Sequence, residues 1–212
     1  MASREKTLEE IDSFYPLTKH QIEQLDSYVS LLLKWNQKFN LIGKSTEADI
    51  WQRHILDSAQ LMKYISGDNL VLTDFGSGAG LPAVVLAVMG GKDIFESVNL
   101  IESNSKKTTF LSEAARVIAI DINIINKRAE EIDFLKSDVI TARAFADLDK
   151  IFSYILPFLK KDSLCLLLKG CKSKEEIAEA KKAWKFNFEL FPSIIEEENS
   201  GFVVKIQELG KL

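Results

Sequence analysis

The stretch VLTDFGSGAGLP at residues 71–82 limits what this chain can fold into more than any other. Val71, Leu72 and Thr73 are apolar or β-branched and read as a short buried strand. Asp74 ends it, and Gly76, Gly78 and Gly80 follow at alternate positions. Pro82 then opens the apolar run AVVLAVM, which suits a helix because proline is tolerated at a first helical position. Strand, glycine turn and helix N-terminus together form the nucleotide-site element of an open α/β sheet.

The spacing narrows the ligand. A dinucleotide fingerprint, G-x-G-x-x-G, counted from Gly76 and Gly78 would need glycine or alanine at 81, and that position holds Leu81. The pattern is D-x-G-x-G-x-G, and a phosphate would not welcome Asp74 beside it. A ligand with a positive sulfonium and an α-ammonium would, which points to S-adenosylmethionine; a purely structural turn is the competing reading. A second acid favours the ligand. The strand SVNLIE ends in Glu102, 26 residues after Gly76 and close to the ~20-residue offset at which an acid meets ribose hydroxyls. A carboxylate accepts both hydrogen bonds of a vicinal diol. Alternatively, Glu102 caps the helix that follows it. The two acids together favour a methyltransferase.

The segments KWNQKFNLIG (34–43), RHILDS (53–58), DFGSGAGLP (74–82), LIESNSKKTTFL (100–111), NKRAEEI (126–132), TARAFADL (141–148) and LLLKG (166–170) are specific as an ordered set. Through them the chain resembles the RsmG (GidB) family of bacterial small-subunit rRNA methyltransferases over nearly its full length. The resemblance implies methyl transfer from S-adenosylmethionine to N7 of one guanine in 16S rRNA. It also implies a Rossmann-like class I methyltransferase fold: a mostly parallel seven-stranded sheet with a C-terminal antiparallel hairpin and an N-terminal helical cap. Ala83 departs from the family, where many members carry a second glycine after the proline.

From residue 70 strands and helices alternate, as a mostly parallel sheet requires. Strands are expected near 70–75, 97–102, 122–126, 138–142 and 163–169, and helices near 81–90, 104–119, 147–159 and 173–184. Two β-rich runs then flank Asn199-Ser200-Gly201, a hairpin turn signal. Residues 1–66 read as a helical cap on a 67–212 methyltransferase domain, one compact unit overall. Thr18 and Gln21 are spaced as a capping box. Ile22, Leu25, Val29, Leu32 and Phe39 then repeat at helical spacing. A second amphipathic helix is expected at 47–65, with Ile50, His54, Ile55 and either Ala59 or Leu61 and Met62 inward. Gly67-Asp68-Asn69 ends the cap.

Asn36, Asn40, Arg53, His54 and Asp57 stand out within the cap. With no second histidine near it, His54 offers no metal site; it is either packed between cap and domain or, with Arg53, faces the target base or RNA. The resemblance assigns Ala129 and Glu130 to the adenine end of the cofactor and Arg143 to cofactor binding. At the carboxyl end of a strand, an arginine beside a cationic ligand needs an anion, from the cofactor carboxylate or an RNA phosphate. An internal ion pair with Asp74, Glu102 or Asp147 is the alternative. The candidate cofactor positions are therefore Asp74, Gly76, Gly78, Gly80, Leu81, Glu102, Ala129, Glu130 and Arg143.

The formal net charge is −4, so RNA contact must come from a local basic patch. Lys34, Lys38, Lys44, Arg53, Lys106, Lys107, Arg143, Lys169 and Lys172 are candidates, with Lys106, Lys107 and Lys169 best placed. No catalytic base is identified and none is required, because N7 of guanine carries a lone pair and no proton. The Asn/Asp-Pro-Pro-Tyr/Phe tetrapeptide of many amino-group methyltransferases is absent after the fourth strand, where the chain reads TARAF. A small-molecule methyltransferase and a non-catalytic cofactor-binding regulator are the other readings. Cys165 and Cys171 offer neither a disulfide framework nor a metal cluster. With no secretory signal and no apolar run near 20 residues, a cytoplasmic, monomeric protein without membrane or DNA partners is expected.

Overall fold

The computed structural model describes residues 2–133, 135–195 and 201–212. The cap begins with α1 (Ala2–Asp12) and α2 (Lys19–Phe39). The Thr18 hydroxyl accepts from the Gln21 amide at 3.2 Å, while the Gln21 side chain accepts from the Thr18 amide at 2.8 Å. The helix closes on Asn40 in a left-handed conformation (φ 47). Asn36 is a joint: its Oδ1 accepts from the Ile42 amide (2.8 Å) and its Nδ2 donates to Glu47 (2.6 Å), fixing the loop after α2.

The second cap helix is not regular. Trp51–Leu56 is π-helical, α3 (Asp57–Ala59) is α-helical, and Gln60–Tyr64 is 3₁₀. Ile50, His54 and Ile55 are buried as expected, and both alternatives, Ala59 and the pair Leu61 and Met62, are buried too, as are Trp51, Leu56, Ser58 and Gln60. A segment enclosed on nearly every side has no solvent face to impose a single helical period, so its turns follow the surrounding packing.

The sheet then runs β1 (Leu70–Phe75), α4 (Ala83–Ile94), β2 (Phe95–Ile101), α5 (Ser105–Val117), β3 (Asn123–Ile125) and β4 (Ser137–Arg143). It continues through α6 (Leu148–Ile155), β5 (Leu159–Lys169), α7 (Ser173–Ala180), β6 (Trp184–Pro192) and β7 (Phe202–Lys211). The strand order is β3-β2-β1-β4-β5-β7-β6, parallel except that β7 is antiparallel to both β5 and β6. The expected hairpin is thus present, although its turn residues Asn199 and Ser200 lie outside the described residues. Pro82 is the N-cap of α4, one residue before the first helical position.

Every residue of α4 from Ala83 to Gly90 is buried. A helix apolar all round must be enclosed, and here the sheet lies on one side and α2 and α3 on the other. Its last regular turn ends where Gly91 leaves helical geometry (φ 51). The freed carbonyls are met by the cap: Gln21 Nε2 donates to Val88 (3.1 Å) and Met89 (2.7 Å), and the Tyr15 hydroxyl donates to Met89 (2.9 Å). One apolar cluster runs from Ile11, Leu25 and Leu32 through Leu86 and Met89 to Leu166 and Val203, joining cap and sheet.

Candidate functional site

The site lies where β1, β2 and β4 end side by side. After Phe75 the chain must turn sharply, and Gly76 (φ 66), Gly78 (φ 57) and Gly80 (φ 89) all take left-handed conformations that side chains resist. The Gly76 and Ser77 amides both donate to the Ile101 carbonyl, at 3.0 and 3.1 Å, tying the turn to β2. From the cap, the buried Tyr28 hydroxyl donates to the Ala79 carbonyl at 2.6 Å.

The three glycines do different work. A Cβ on Gly76 would stand 2.1 Å from the Phe145 ring, which closes over the turn. A Cβ on Gly78 would meet no atom nearer than 3.7 Å, so its face is open. A Cβ on Gly80 would strike Val84 (2.5 Å) and Leu111 (2.9 Å). Gly80 therefore lets the turn pack against α4 and α5, and it lines neither cavity.

Two cavities open on either side of Gly76. The first, of about 330 Å³, is lined by Gly76, Glu102, Lys107, Ala129, Glu130 and Phe145, among others. Glu102 is 7% exposed; its Oε2 accepts from the Gly78 amide (2.9 Å) and its Oε1 from the Asn104 amide (2.8 Å). Each carboxylate oxygen has a second lone pair, so the pinned side chain keeps the capacity to accept two further hydrogen bonds. The helix-capping alternative falls to its neighbour: Asn104 Oδ1 takes the Lys106 and Lys107 amides at 3.0 and 3.3 Å. Ala129 and Glu130 form a short 3₁₀ turn on the opposite wall. A glycine floor, a held carboxylate and an apolar ring suit a nucleoside.

The second cavity, of about 280 Å³, is lined by Leu41–Gly43 of the cap loop, His54, Ser77, Gly78, Leu81, Lys107 and Arg143. The two share Gly76, Lys107 and Ala144. His54 Nε2 lies 2.7 Å from the Thr46 hydroxyl, and its Nδ1 is buried without a partner among the described residues. Burial, then the nearby Arg143 and Arg53 charges, push its pKa down to about 3, so the ring is neutral. Arg53 reaches the site through its carbonyl, which accepts from Arg143 Nη2 at 2.9 Å.

Several sequence expectations are corrected here. Asp74 is fully buried and stands behind the turn, not in a cavity wall. It is in register with Thr141 of β4, whose hydroxyl donates to Asp74 Oδ1 at 2.7 Å, while Oδ2 has no partner among the described residues. Burial raises its pKa to about 7. Arg143 pairs with Asp57 Oδ2 at 3.5 Å, not with Asp74, Glu102 or Asp147. Lys169 is no surface cation: its side chain is 8% exposed, and Nζ bonds Glu176 Oε2 and the Ala146 carbonyl, each at 2.6 Å. Lys106 is exposed and lines neither cavity; Lys107 lines both. Lys127, Arg128 and Lys150 border the first cavity and were not anticipated. The first two sit in the NKRAEEI segment beside Ala129, where their position was already legible.

The family described as "GidB: rRNA small subunit methyltransferase G" matches residues 21–199. The ribosomal RNA small subunit methyltransferase G of Paramagnetospirillum magneticum is 40% identical over 195 residues, covering 92% of each chain. That of Rickettsia prowazekii is 41% identical over 191 residues, covering 90% of this chain and 96% of the other. Among solved structures, M. jannaschii TYW2 in complex with AdoMet is similar at a TM-score of 0.57 and 18% identity, over 76% of this chain and 77% of that one. The ribosomal protein L11 methylase of Lactobacillus delbrueckii subsp. bulgaricus gives 0.57 and 19%, over 73% and 78%. These two likenesses are of fold alone. The relatives extend over nearly the whole chain and take in every element that builds the two cavities, and the chain accordingly belongs to the GidB family, rRNA small subunit methyltransferase G.

Proposed function

We propose that the protein transfers a methyl group from S-adenosylmethionine to N7 of one guanine in 16S rRNA. The observation that carries this reading is the pair of cavities meeting at Gly76, one suited to a nucleoside and the other walled by His54 and Arg143. In the first, Glu102 holds the ribose diol, and Ala129 and Glu130 hold the adenine end. Gly76 and Gly78 let the ligand approach the main chain, and Leu81 borders it on the α4 side. Arg143 takes the carboxylate. Asp74 stands behind the wall, where burial raises its pKa to about 7. When bound, S-adenosylmethionine supplies an electrophilic methyl on a sulfonium.

The target base enters the second cavity, beside Leu41, Ile42 and His54. N7 bears no proton, so the chain has only to align two groups, which contributes about 7–11 kcal/mol. A neutral His54 is consistent with that economy. Phosphates are met by Lys107, Lys127, Arg128 and Lys150, with Lys106 and Arg53 further out. Because the chain is acidic overall, we infer that the rRNA is presented within a small subunit or an assembly intermediate. Residues 1–66 serve as a cap on a 67–212 catalytic unit.

The test is transfer of radiolabel from S-adenosylmethionine to small subunits isolated from cells lacking the protein, mapped by cleavage at 7-methylguanine. Label at a single 16S guanine is expected, absent with Gly76→Arg. Absence of label with the intact protein overturns the reading, and equal turnover on protein-free rRNA overturns the subunit part.

A further inference from the structure

Arg143 is held in an unusual way. Its Nη2 is committed to the Arg53 carbonyl (2.9 Å) and faces Asp57 Oδ2 (3.5 Å), whereas Nη1 is buried with no partner among the described residues. Arg143 is among the residues that line the second cavity. A buried charged donor left without an acceptor marks a place for an arriving anion. Arg143 is therefore anchored along one edge and unsatisfied along the other.

Asp57 has anchors of its own. Its Oδ1 accepts from Gln60 Nε2 (2.8 Å) and from the Ser193 hydroxyl (3.1 Å). Gln60 in turn accepts from the Ile194 amide (3.0 Å), and Ser193 accepts from the Ile195 amide (3.2 Å). A chain of contacts thus runs from the segment after β6, through the irregular cap helix, to the end of β4. Ser193 and Asp57 lie 136 residues apart in sequence, so only the folded chain assembles the path.

We propose that Asp57, braced by Gln60 and Ser193, is a positioning residue that turns the free Nη1 edge of Arg143 into the cavity to receive the carboxylate of the amino-acid end of S-adenosylmethionine. The inference rests on the cofactor reading above. Asp57 does not touch the ligand. It balances the guanidinium, so that a cation can stand beside a cationic ligand, and it occupies the edge that the ligand carboxylate must not take.

Isothermal titration with S-adenosylhomocysteine and with 5′-methylthioadenosine, which lacks the amino-acid end, tests it. In Asp57→Asn, affinity for S-adenosylhomocysteine should fall about tenfold, the order of one charge-assisted hydrogen bond, with 5′-methylthioadenosine unchanged. Ser193→Ala keeps the ion pair and loses one brace; about a threefold fall confined to S-adenosylhomocysteine is expected, and it decides the matter should Asp57→Asn fail to fold. Equal losses for both ligands, or none for either, overturn the positioning role. Failure of the unaltered protein to bind either ligand overturns the cofactor reading instead.

Discussion

Asp74 and His54 are two buried titratable groups whose ionisation works in opposite directions. The folded-state pKa of Asp74 is raised from 3.8 to about 7 by burial. Below pH 4 it is protonated in both states; as pH rises to 7 it ionises freely only when unfolded, so stability falls. His54 is lowered from 6.5 to about 3. The unfolded chain takes up its proton first, so stability falls as pH drops below 6.5. Between these limits the two slopes oppose each other. Asp74→Asn, which keeps an acceptor for Thr141, should leave the histidine slope uncovered: denaturant midpoints measured at pH 5 and 7 should diverge more in the variant than in the parent. An unchanged difference would show that Asp74 is not the buried acid described.

Lys169 shows how an element can disguise the role of its last residue. Closing β5, it looked exposed and ready for phosphate, but it spans from the sheet to Glu176 of α7 and to the Ala146 carbonyl. It thereby holds the loop that carries Phe145 over Gly76. Lys169→Met should cost roughly 3 kcal/mol, as for a broken buried pair, lowering Tm by about 6–12 °C in a chain of this size; melting curves check it, and RNA affinity of the folded variant should not change. What the sequence revealed and concealed follows the same line. The glycine turn, Glu102, the Thr18 cap and five parallel strands each rest on neighbours within a few residues, and all were legible. Arg143–Asp57, Tyr28–Ala79 and Phe145–Gly76 join residues from separate elements, with no local pattern to betray them. The irregular turns of 51–64 were hidden because burial on nearly every side leaves no broad solvent face to impose one period.

At the scale of the whole molecule, cap and sheet share their interior. Tyr15 and Gln21 satisfy the last carbonyls of α4, and the apolar cluster crosses the boundary at residue 67 without a break. A fragment 67–212 would expose one side of an all-apolar helix and strand those carbonyls. It should aggregate, or keep helical far-ultraviolet dichroism while losing near-ultraviolet signals; a cooperative unfolding transition in that fragment would show the cap to be dispensable for folding. The strand order has a further consequence for synthesis. β7 lies between β5 and β6, yet is made after both. While the chain emerges from N- to C-terminus, β6 has no neighbour to dock on, and its backbone groups remain hydrated until β7 is complete. Ser193 follows β6 directly and reaches Asp57 only from the docked strand. A nascent chain thus acquires its glycine turn early and the brace of its arginine last, which withholds a finished site from a half-made protein.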